Sequence, residues 1–299
     1  MMLSVVVIEL CAPHRRRSEL LAILDTNQIC WVMGITELHE HIYVVTFTSN
    51  RISVFGAQPL FARLPNIGLP TMKDPWAIAA SPPTNHLYVA DWKLKCIWRV
   101  KINDTITIPS SPSDDGKKSA HTFTKWNALE GGPWWLTVDK TGCVLVVDVI
   151  KGNMTVYSRE GEPLDVVSFY DVGLENPQHA IRTTADTYIV SHGWELSKFH
   201  GVCEIDRNGS ILNICVGRPG EFFINPDELA RGADERKILV VDARGVQVLD
   251  RRLRFERVLL RPPPEARPSR PTGRRLCYLE KSGHLLVSWG ERFIHAYRF

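Results

Sequence analysis

The sequence lacks the features that define several common protein classes. Its seven cysteines stand singly, without CxxC pairs or nearby histidines, so neither a zinc site nor a disulfide framework is expected. No apolar run approaches the roughly 18 residues that a membrane-spanning helix needs. The apolar segment 3–10 contains Glu9 and has arginines behind it rather than ahead of it, which favours a strand over a signal peptide. We therefore expect a soluble, cytoplasmic protein.

Common catalytic motifs are also missing. The chain contains no GxSxG, P-loop, Rossmann glycine pattern or HExxH. His39, Glu40 and His41 resemble a metal-binding run, but they fall in a predicted turn without a third ligand nearby, so we interpret them as solvated. The formal net charge of +3 is too small to indicate a nucleic-acid partner by itself. These absences favour binding over catalysis without excluding an enzyme.

A repeated block of short strands is present along most of the 299 residues. The clearest copy has Pro75 with Trp-Ala-Ile-Ala, then a strand that ends at Asp91, then a strand that begins at Cys96. Related copies start at Pro133, Pro177, Pro226 and Pro271, and a first copy near Trp31 lacks the proline. Runs rich in Val, Ile, Tyr and Trp between turn residues are typical of strands. The prolines recur roughly every 44 to 58 residues, a period typical of β-propellers.

Six copies predict an all-β chain that forms a single closed six-bladed β-propeller with four-stranded antiparallel blades. Radial closure is expected because it removes exposed sheet edges. The last copy stops after its third strand, so we expect residues 3–10 or 20–25 to add the fourth and close the ring. Residues 1–27 are thus assigned to a closing strand and basic segment, and 28–299 to the propeller. The blades are placed at about 28–65, 70–125, 131–170, 176–217, 224–261 and 270–299.

Two stretches carry a family resemblance. The run from Asn50 to Phe55, and the strand that ends at Asp91 after the Pro75 block, resemble NHL repeats, with a likeness that spans about residues 28 to 299. Propellers of the YWTD, YVTN and gluconolactonase-like types share this pattern. The NHL resemblance implies a docking module for protein or RNA. The gluconolactonase-like resemblance implies instead a metal-dependent lactonase- or esterase-like hydrolase, with Ca²⁺ or Zn²⁺ in the central channel.

Aspartates end the second strand in three copies, at Asp91, Asp148 and Asp242. They could bind calcium or act as bases, but their repetition favours acceptors for turn amides. In the other copies, Thr46, Ser191 and Ser288 take this position. Four residues occupy plausible axial entry positions, too few to assign a catalytic, cofactor or metal residue: Gln178, His179, Asp227 and Glu228.

Aromatic and basic residues gather in the loops that are expected to open on one face of the ring. Rigid aromatics beside cations suit peptide recognition or base stacking, although tryptophans that pack between blades would give the same pattern. The candidate residues on this face are Trp76, Trp92, Lys93, Trp134, His179, Trp194 and Trp289. A second candidate is a basic edge near the last blade, which contains Arg267, Arg270, Arg274 and Arg275.

The leading hypothesis is a non-catalytic scaffold propeller without a cofactor, which docks a protein or peptide through the loop face or the basic edge. The metal-dependent hydrolase and an RNA-binding propeller stay open as alternatives, and the basic edge would also suit another anionic ligand.

Overall fold

A computed structural model describes residues 18–27, 30–57, 61–103, 121–194, 197–215, 223–232, 236–264 and 273–298. Within these ranges, 24 strands form six four-stranded antiparallel sheets arranged in a ring. The prediction of an all-β, six-bladed propeller is therefore confirmed. The described residues form no helix that is long and apolar enough to cross a membrane.

Each of the first five blades takes four consecutive strands. Blade 1 contains β2 (Val32–Leu38), β3 (His41–Thr46), β4 (Arg51–Gly56) and β5 (Arg63–Gly68). Blade 2 contains β6 (Pro75–Ser81), β7 (His86–Asp91), β8 (Cys96–Lys101) and β9 (Phe123–Ala128). Blade 3 contains β10 (Trp135–Val138), β11 (Val144–Asp148), β12 (Asn153–Tyr157) and β13 (Pro163–Ser168).

Blade 4 contains β14 (Pro177–Arg182), β15 (Tyr188–His192), β16 (Gly201–Ile205) and β17 (Ile211–Cys215). Blade 5 contains β18 (Leu229–Arg231), β19 (Lys237–Asp242), β20 (Gly245–Asp250) and β21 (Phe255–Leu260). Blade 6 contains β22 (Arg274–Leu279), β23 (His284–Trp289) and β24 (Phe293–Arg298), with β1 (Glu19–Asp25) as its outermost strand. The innermost strands, which line the axis, are β2, β6, β10, β14, β18 and β22.

The core lies between the blades. Successive side chains of a strand point to opposite faces of its sheet, and both faces of each second strand are covered. In β19, for example, Leu239 packs into the cluster shared with blade 6, while Val240 packs into the cluster shared with blade 4. This two-sided burial explains why the second strands are continuous apolar runs rather than alternating ones.

Strand β1 closes the ring by pairing antiparallel with β24, from Glu19 opposite Arg298 to Asp25 opposite Phe293. Of the two closing segments expected from the sequence, the one at 20–25 is confirmed, while 3–10 lies outside the described residues. Leu24 is only 4% exposed and packs between blades 6 and 1.

The strand-end aspartates hold turns together, as the sequence analysis favoured. The buried Asp91 carboxylate accepts hydrogen bonds from the Lys73 and Leu94 amides, at 2.8 and 3.1 Å, and from the Trp98 indole at 3.3 Å. The carboxylate of Asp242 likewise accepts bonds from three backbone amides and from Gln247. Both carboxylates therefore accept hydrogen bonds from their own blade and from the loop that adjoins it.

Two of the residues assigned to the aspartate position need correction. The register pairs Pro75 with Asp91, and in blade 4 it pairs Pro177 with His192 rather than with Ser191. In blade 6 the residue at the strand end is Trp289 rather than Ser288. The strands of these blades end one residue later than the sequence pattern indicated.

Candidate functional site

Four tryptophans meet on the face of the ring where each first strand begins. The Trp76 and Trp134 ring centres are 4.8 Å apart, and Trp92 lies 5.9 Å from Trp76 and 5.2 Å from Trp134. Trp194 continues the row at 6.3 Å from Trp134. All four rings are partly exposed. We call this set, Trp76, Trp92, Trp134 and Trp194, the tryptophan face.

Local backbone geometry turns these rings toward the face. Trp76 sits at a bulge between Pro75 and Ala77, and a bulge re-aims the side chain that it contains. Trp92 follows directly after the strand-end Asp91, so its position is set by the turn that this carboxylate holds. A side chain at Gly132 would place its Cβ 2.2 Å from the Trp92 ring. Glycine is therefore required where the ring rests on the entry to blade 3.

The aromatic row extends into blade 1 through two residues that the sequence analysis missed. Phe47 lies 5.8 Å from Trp76 and 5.7 Å from Trp31, measured between ring centres. Phe47 follows β3 as Trp92 follows β7, and Trp31 directly precedes β2 as Trp134 precedes β10. Alignment of the copies on their strand ends would have found both residues.

Exposed cations flank the tryptophan face. Lys93 and Lys95 are exposed in the turn that follows Trp92, and Lys198 is exposed in the loop that contains Trp194. The Lys198 ammonium lies 5.3 Å from the centre of the Phe199 ring, which is itself largely exposed. By contrast, Lys151 pairs with Glu130 at 2.9 Å. The face thus combines aromatic surface with positive charge at its border.

Beneath this face, the innermost strands enclose a second group of polar side chains. We call it the axial cluster, and it consists of Trp135, Thr137, His179, Asp227, Glu228, Arg274 and Arg275. Arg275 is only 1% exposed, and its guanidinium carbon lies 3.9 Å from the Trp135 ring centre. The same guanidinium donates hydrogen bonds to the carbonyls of Met33 and Arg274. It therefore joins blade 6 to blades 1 and 3.

Two buried carboxyls lie beside the arginines of the axial cluster. Arg274 pairs with Asp227 at 3.0 Å, and both side chains are buried. Glu228 accepts a hydrogen bond of 2.7 Å from the Leu276 amide. Burial raises the pKa of Asp227 to about 6 and that of Glu228 to about 8, while it lowers the pKa of Arg275 to about 10. Desolvation disfavours the charged forms of these three groups, and the opposite charges reduce that penalty only in part.

His179 completes the axial cluster as a neutral ring. Its Nδ1 accepts a hydrogen bond from the Leu229 amide at 3.3 Å, so the proton of the neutral ring lies on Nε2. Nε2 then donates to the Thr137 hydroxyl at 2.9 Å, and that hydroxyl donates to the Ala180 carbonyl at 2.8 Å. Burial, together with the nearby charge of Arg275, lowers the pKa of His179 to about 3.

Several residues that were expected at a binding surface lie inside the protein. Arg274 is 6% exposed and Arg275 is more deeply buried, because both begin the innermost strand β22, where Arg274 pairs with Asp227 and Arg275 lies over the Trp135 ring. Their assignment to an exposed basic edge is wrong. His179 and Trp289 are also buried, Trp289 against the core between blades 5 and 6. The remaining basic-edge candidates, Arg267 and Arg270, lie outside the described residues.

The structure therefore brings together five of the candidate residues: Trp76, Trp92, Lys93, Trp134 and Trp194. Gln178, which was expected at an axial entry position, is buried as well, and its side-chain amide donates a hydrogen bond of 3.1 Å to the Asn176 carbonyl. In the part of the chain that the structure describes, no group of three or more His, Cys, Asp or Glu side chains is arranged to hold a metal ion.

Comparison with known proteins gives structural likeness only. No family model and no curated protein matches the chain. A solved structure of virginiamycin B lyase from Staphylococcus aureus is similar with a TM-score of 0.62 and 12% identity, over 95% of this chain and 100% of that one. Hydrazine synthase from Kuenenia stuttgartiensis is similar with a TM-score of 0.58 and 12% identity, over 87% of this chain and 74% of that one. At this identity the likeness shows a shared propeller fold.

Proposed function

We propose that this protein is a non-catalytic binding propeller that captures a protein or peptide on the tryptophan face. The observation that carries the proposal is the contact between four partly exposed indole rings contributed by three blades. Aromatic side chains are enriched among the residues that dominate binding energy at protein interfaces. The proposal assigns the same role to these rings.

The packing of the rings supports this role. Trp92 lies edge-on to Trp134, at an interplanar angle of 84°, and rests on the backbone at Gly132. Rings held in this way lose little conformational freedom when a partner binds, so more of the contact energy contributes to affinity.

The charge at the border indicates the chemistry of the partner. Lys93 and Lys95 are exposed beside Trp92 and would attract carboxylates, while the rings would cover apolar or aromatic side chains. A peptide segment with an aromatic or proline anchor and a neighbouring acidic residue has this combination.

Selection from a display library of random peptides tests the proposal. Peptides selected on the wild-type protein should bind the Trp92→Ala variant at least about tenfold more weakly, because a central aromatic anchor typically contributes more than 1.4 kcal/mol. Ile23→Ala, which removes an exposed apolar side chain from the outer strand β1, is the control and should leave the affinity unchanged. Equal affinity of all three proteins for the selected peptides would overturn the assignment.

The metal-dependent hydrolase is the second candidate, and the axial cluster is the feature that favours it. A carboxyl with a pKa near neutrality, as at Glu228, is typical of acid–base sites. Support is weaker because every charged member of the cluster is buried and already bonded to protein groups. Stoichiometric Ca²⁺ or Zn²⁺ in the purified protein, with ester or lactone hydrolysis that is lost in Glu228→Gln, would establish it.

RNA binding stays a prediction that rests on the remaining arginines, Arg267 and Arg270. Binding through phosphate contacts should weaken steeply as the salt concentration rises. An affinity for single-stranded RNA that does not change with salt, or that survives replacement of both arginines by alanine, would contradict it.

A further inference from the structure

The outermost strand of blade 4, β17, has apolar residues on its solvent side. Ile211, Leu212 and Ile214 are 40%, 51% and 54% exposed. The sheet order places β17 at the outer end of its sheet, next to β16 alone, so one row of its backbone amides and carbonyls has no partner strand among the described residues. Such an edge can accept another strand.

The other five outer strands are protected against strand addition, and β17 is not. Natural sheet edges are blunted by charged residues or by proline, which disfavour pairing with a second chain. Each of the other outer strands contains at least one such residue: Glu19 in β1, Pro65 in β5, Lys125 in β9, Asp165 in β13 and Glu256 in β21. The sequence of β17, Ile-Leu-Asn-Ile-Cys, contains neither a charge nor a proline.

The neighbouring blade extends this apolar edge. The turn before β17 packs against the end of β13, since a Cβ on Gly209 would lie 3.3 Å from the Ser168 carbonyl oxygen. Leu164, Val166 and Tyr170 on that blade are all more than half exposed. An apolar surface that spans two blades is typical of an interaction site.

We propose that β17 is the dimerisation edge of this protein and that a second copy of the chain adds to it antiparallel. The strand is complementary to itself. With a two-fold axis at Asn213, Leu212 of one copy faces Ile214 of the other, and Ile211 faces Cys215. The facing pairs on either side of the axis are apolar, and Asn213 faces its own copy, so no like charges meet. The backbone groups on the outer sides of the two edges can hydrogen-bond to each other.

This pairing stops at two copies. Each chain offers one unprotected edge among its described outer strands, and a two-fold contact uses that edge on both partners. The dimer goes beyond the proposed binding function, because the residues of β17 do not belong to the tryptophan face.

Sedimentation equilibrium across a range of protein concentrations measures the association. The wild-type protein should approach the mass of a dimer as the concentration rises. The double variant Leu212→Lys and Ile214→Lys sets lysines opposite each other and should raise the dissociation constant at least about tenfold. Ile23→Lys, which adds a charge to the exposed side of the outer strand β1, is the matched control and should leave it unchanged.

Cross-linking in an otherwise wild-type background provides an independent measurement. Residues that face each other across an antiparallel pair have Cα atoms about 4.5 to 5.5 Å apart, within the range of a disulfide. Asn213→Cys should therefore form a covalent dimer on mild oxidation, and Ile23→Cys should not. A monomer at every concentration, a dimer that is insensitive to the lysine pair, larger assemblies, or equal cross-linking at both positions would overturn the proposal.

Discussion

The guanidinium carbon of Arg275 lies 3.9 Å from the centre of the Trp135 ring, so blades 3 and 6 touch across the axis of the propeller. A cation over an indole is attracted by the ring quadrupole, and the attraction is larger where water is excluded. Because the same side chain also bonds the Met33 carbonyl of blade 1, one residue links three blades at the centre of the ring.

Replacement of Arg275 by methionine should lower the free energy of unfolding by about 3 to 5 kcal/mol, because it leaves the buried Met33 carbonyl without its donor and removes a positive charge from beside the buried Asp227 carboxylate. Denaturant unfolding measures this change. Arg292→Met removes a cation that lies 4.7 Å from the Phe293 ring at an exposed position, and we expect a cost below about 1 kcal/mol. Similar costs for the two variants would contradict the structural role of the axial contact.

The stability of the protein should fall as the pH rises from about 6.5 to 8, because a glutamate of the unfolded chain is already ionised there while Glu228 of the folded protein keeps its proton up to its pKa of about 8. Its pKa of about 8 lies above the ordinary glutamate value, so between the two values the folded protein binds more protons than the unfolded chain. Each proton of difference costs about 1.4 kcal/mol per pH unit.

The Glu228→Gln variant keeps an acceptor for the Leu276 amide and has no proton to lose, so its stability should change less over this range. Unfolding midpoints of the two proteins at matched pH values give the comparison. A parallel pH dependence would show that the slope arises from other groups.

Local sequence patterns predict much of the fold. Three features recur often enough to predict the number of blades and the order of strands. They are a proline near the start of the innermost strand, a continuous apolar second strand, and a turn aspartate such as Asp91. The sequence predicts the closing strand only as one of two segments, 3–10 or 20–25, and the pairing with β24 identifies the second.

The position of side chains relative to the axis could not be predicted in the same way. Arg274 and Arg275 stand near other arginines in the sequence, and charge density alone suggests a solvated edge. Their burial depends on Asp227 and Glu228, which lie in a neighbouring blade, and on Trp135 across the ring. Such compensation between distant residues has no local signature.

Leu24→Ala should lower the free energy of unfolding by about 2 to 5 kcal/mol, because the side chain fills the seam between blades 6 and 1. Ile23→Ala, one residue away on the exposed side of the same strand, should cost less than about 1 kcal/mol. Hydrogen exchange of the β24 amides should accelerate in the first variant alone, and equal exchange in both would contradict the closing role of β1.

Asp91→Ala should cost at least about 3 kcal/mol, because it leaves backbone amides and the Trp98 indole buried without acceptors. The matched control is Asp206→Ala, whose carboxylate accepts from the Asn208 and Ser210 amides in an exposed turn; we expect about 1 kcal/mol. Thermal unfolding of the two variants ranks them, and the reverse order would contradict the interpretation of the strand-end aspartates.

The pairing of β1 with β24 also orders events during synthesis. Strand β1 is synthesised before blades 1 to 5, whereas its partner β24 is synthesised after them, so these blades can stack before the ring closes. Until then, the site between blades 6 and 1 into which Leu24 packs is incomplete. The pairing of β1 with β24 also loses the conformational entropy of closing a very long loop. Ring closure should therefore be a late and slow step of folding, and nascent chains that stop short of β24 should expose the closing strand to chaperones and proteases.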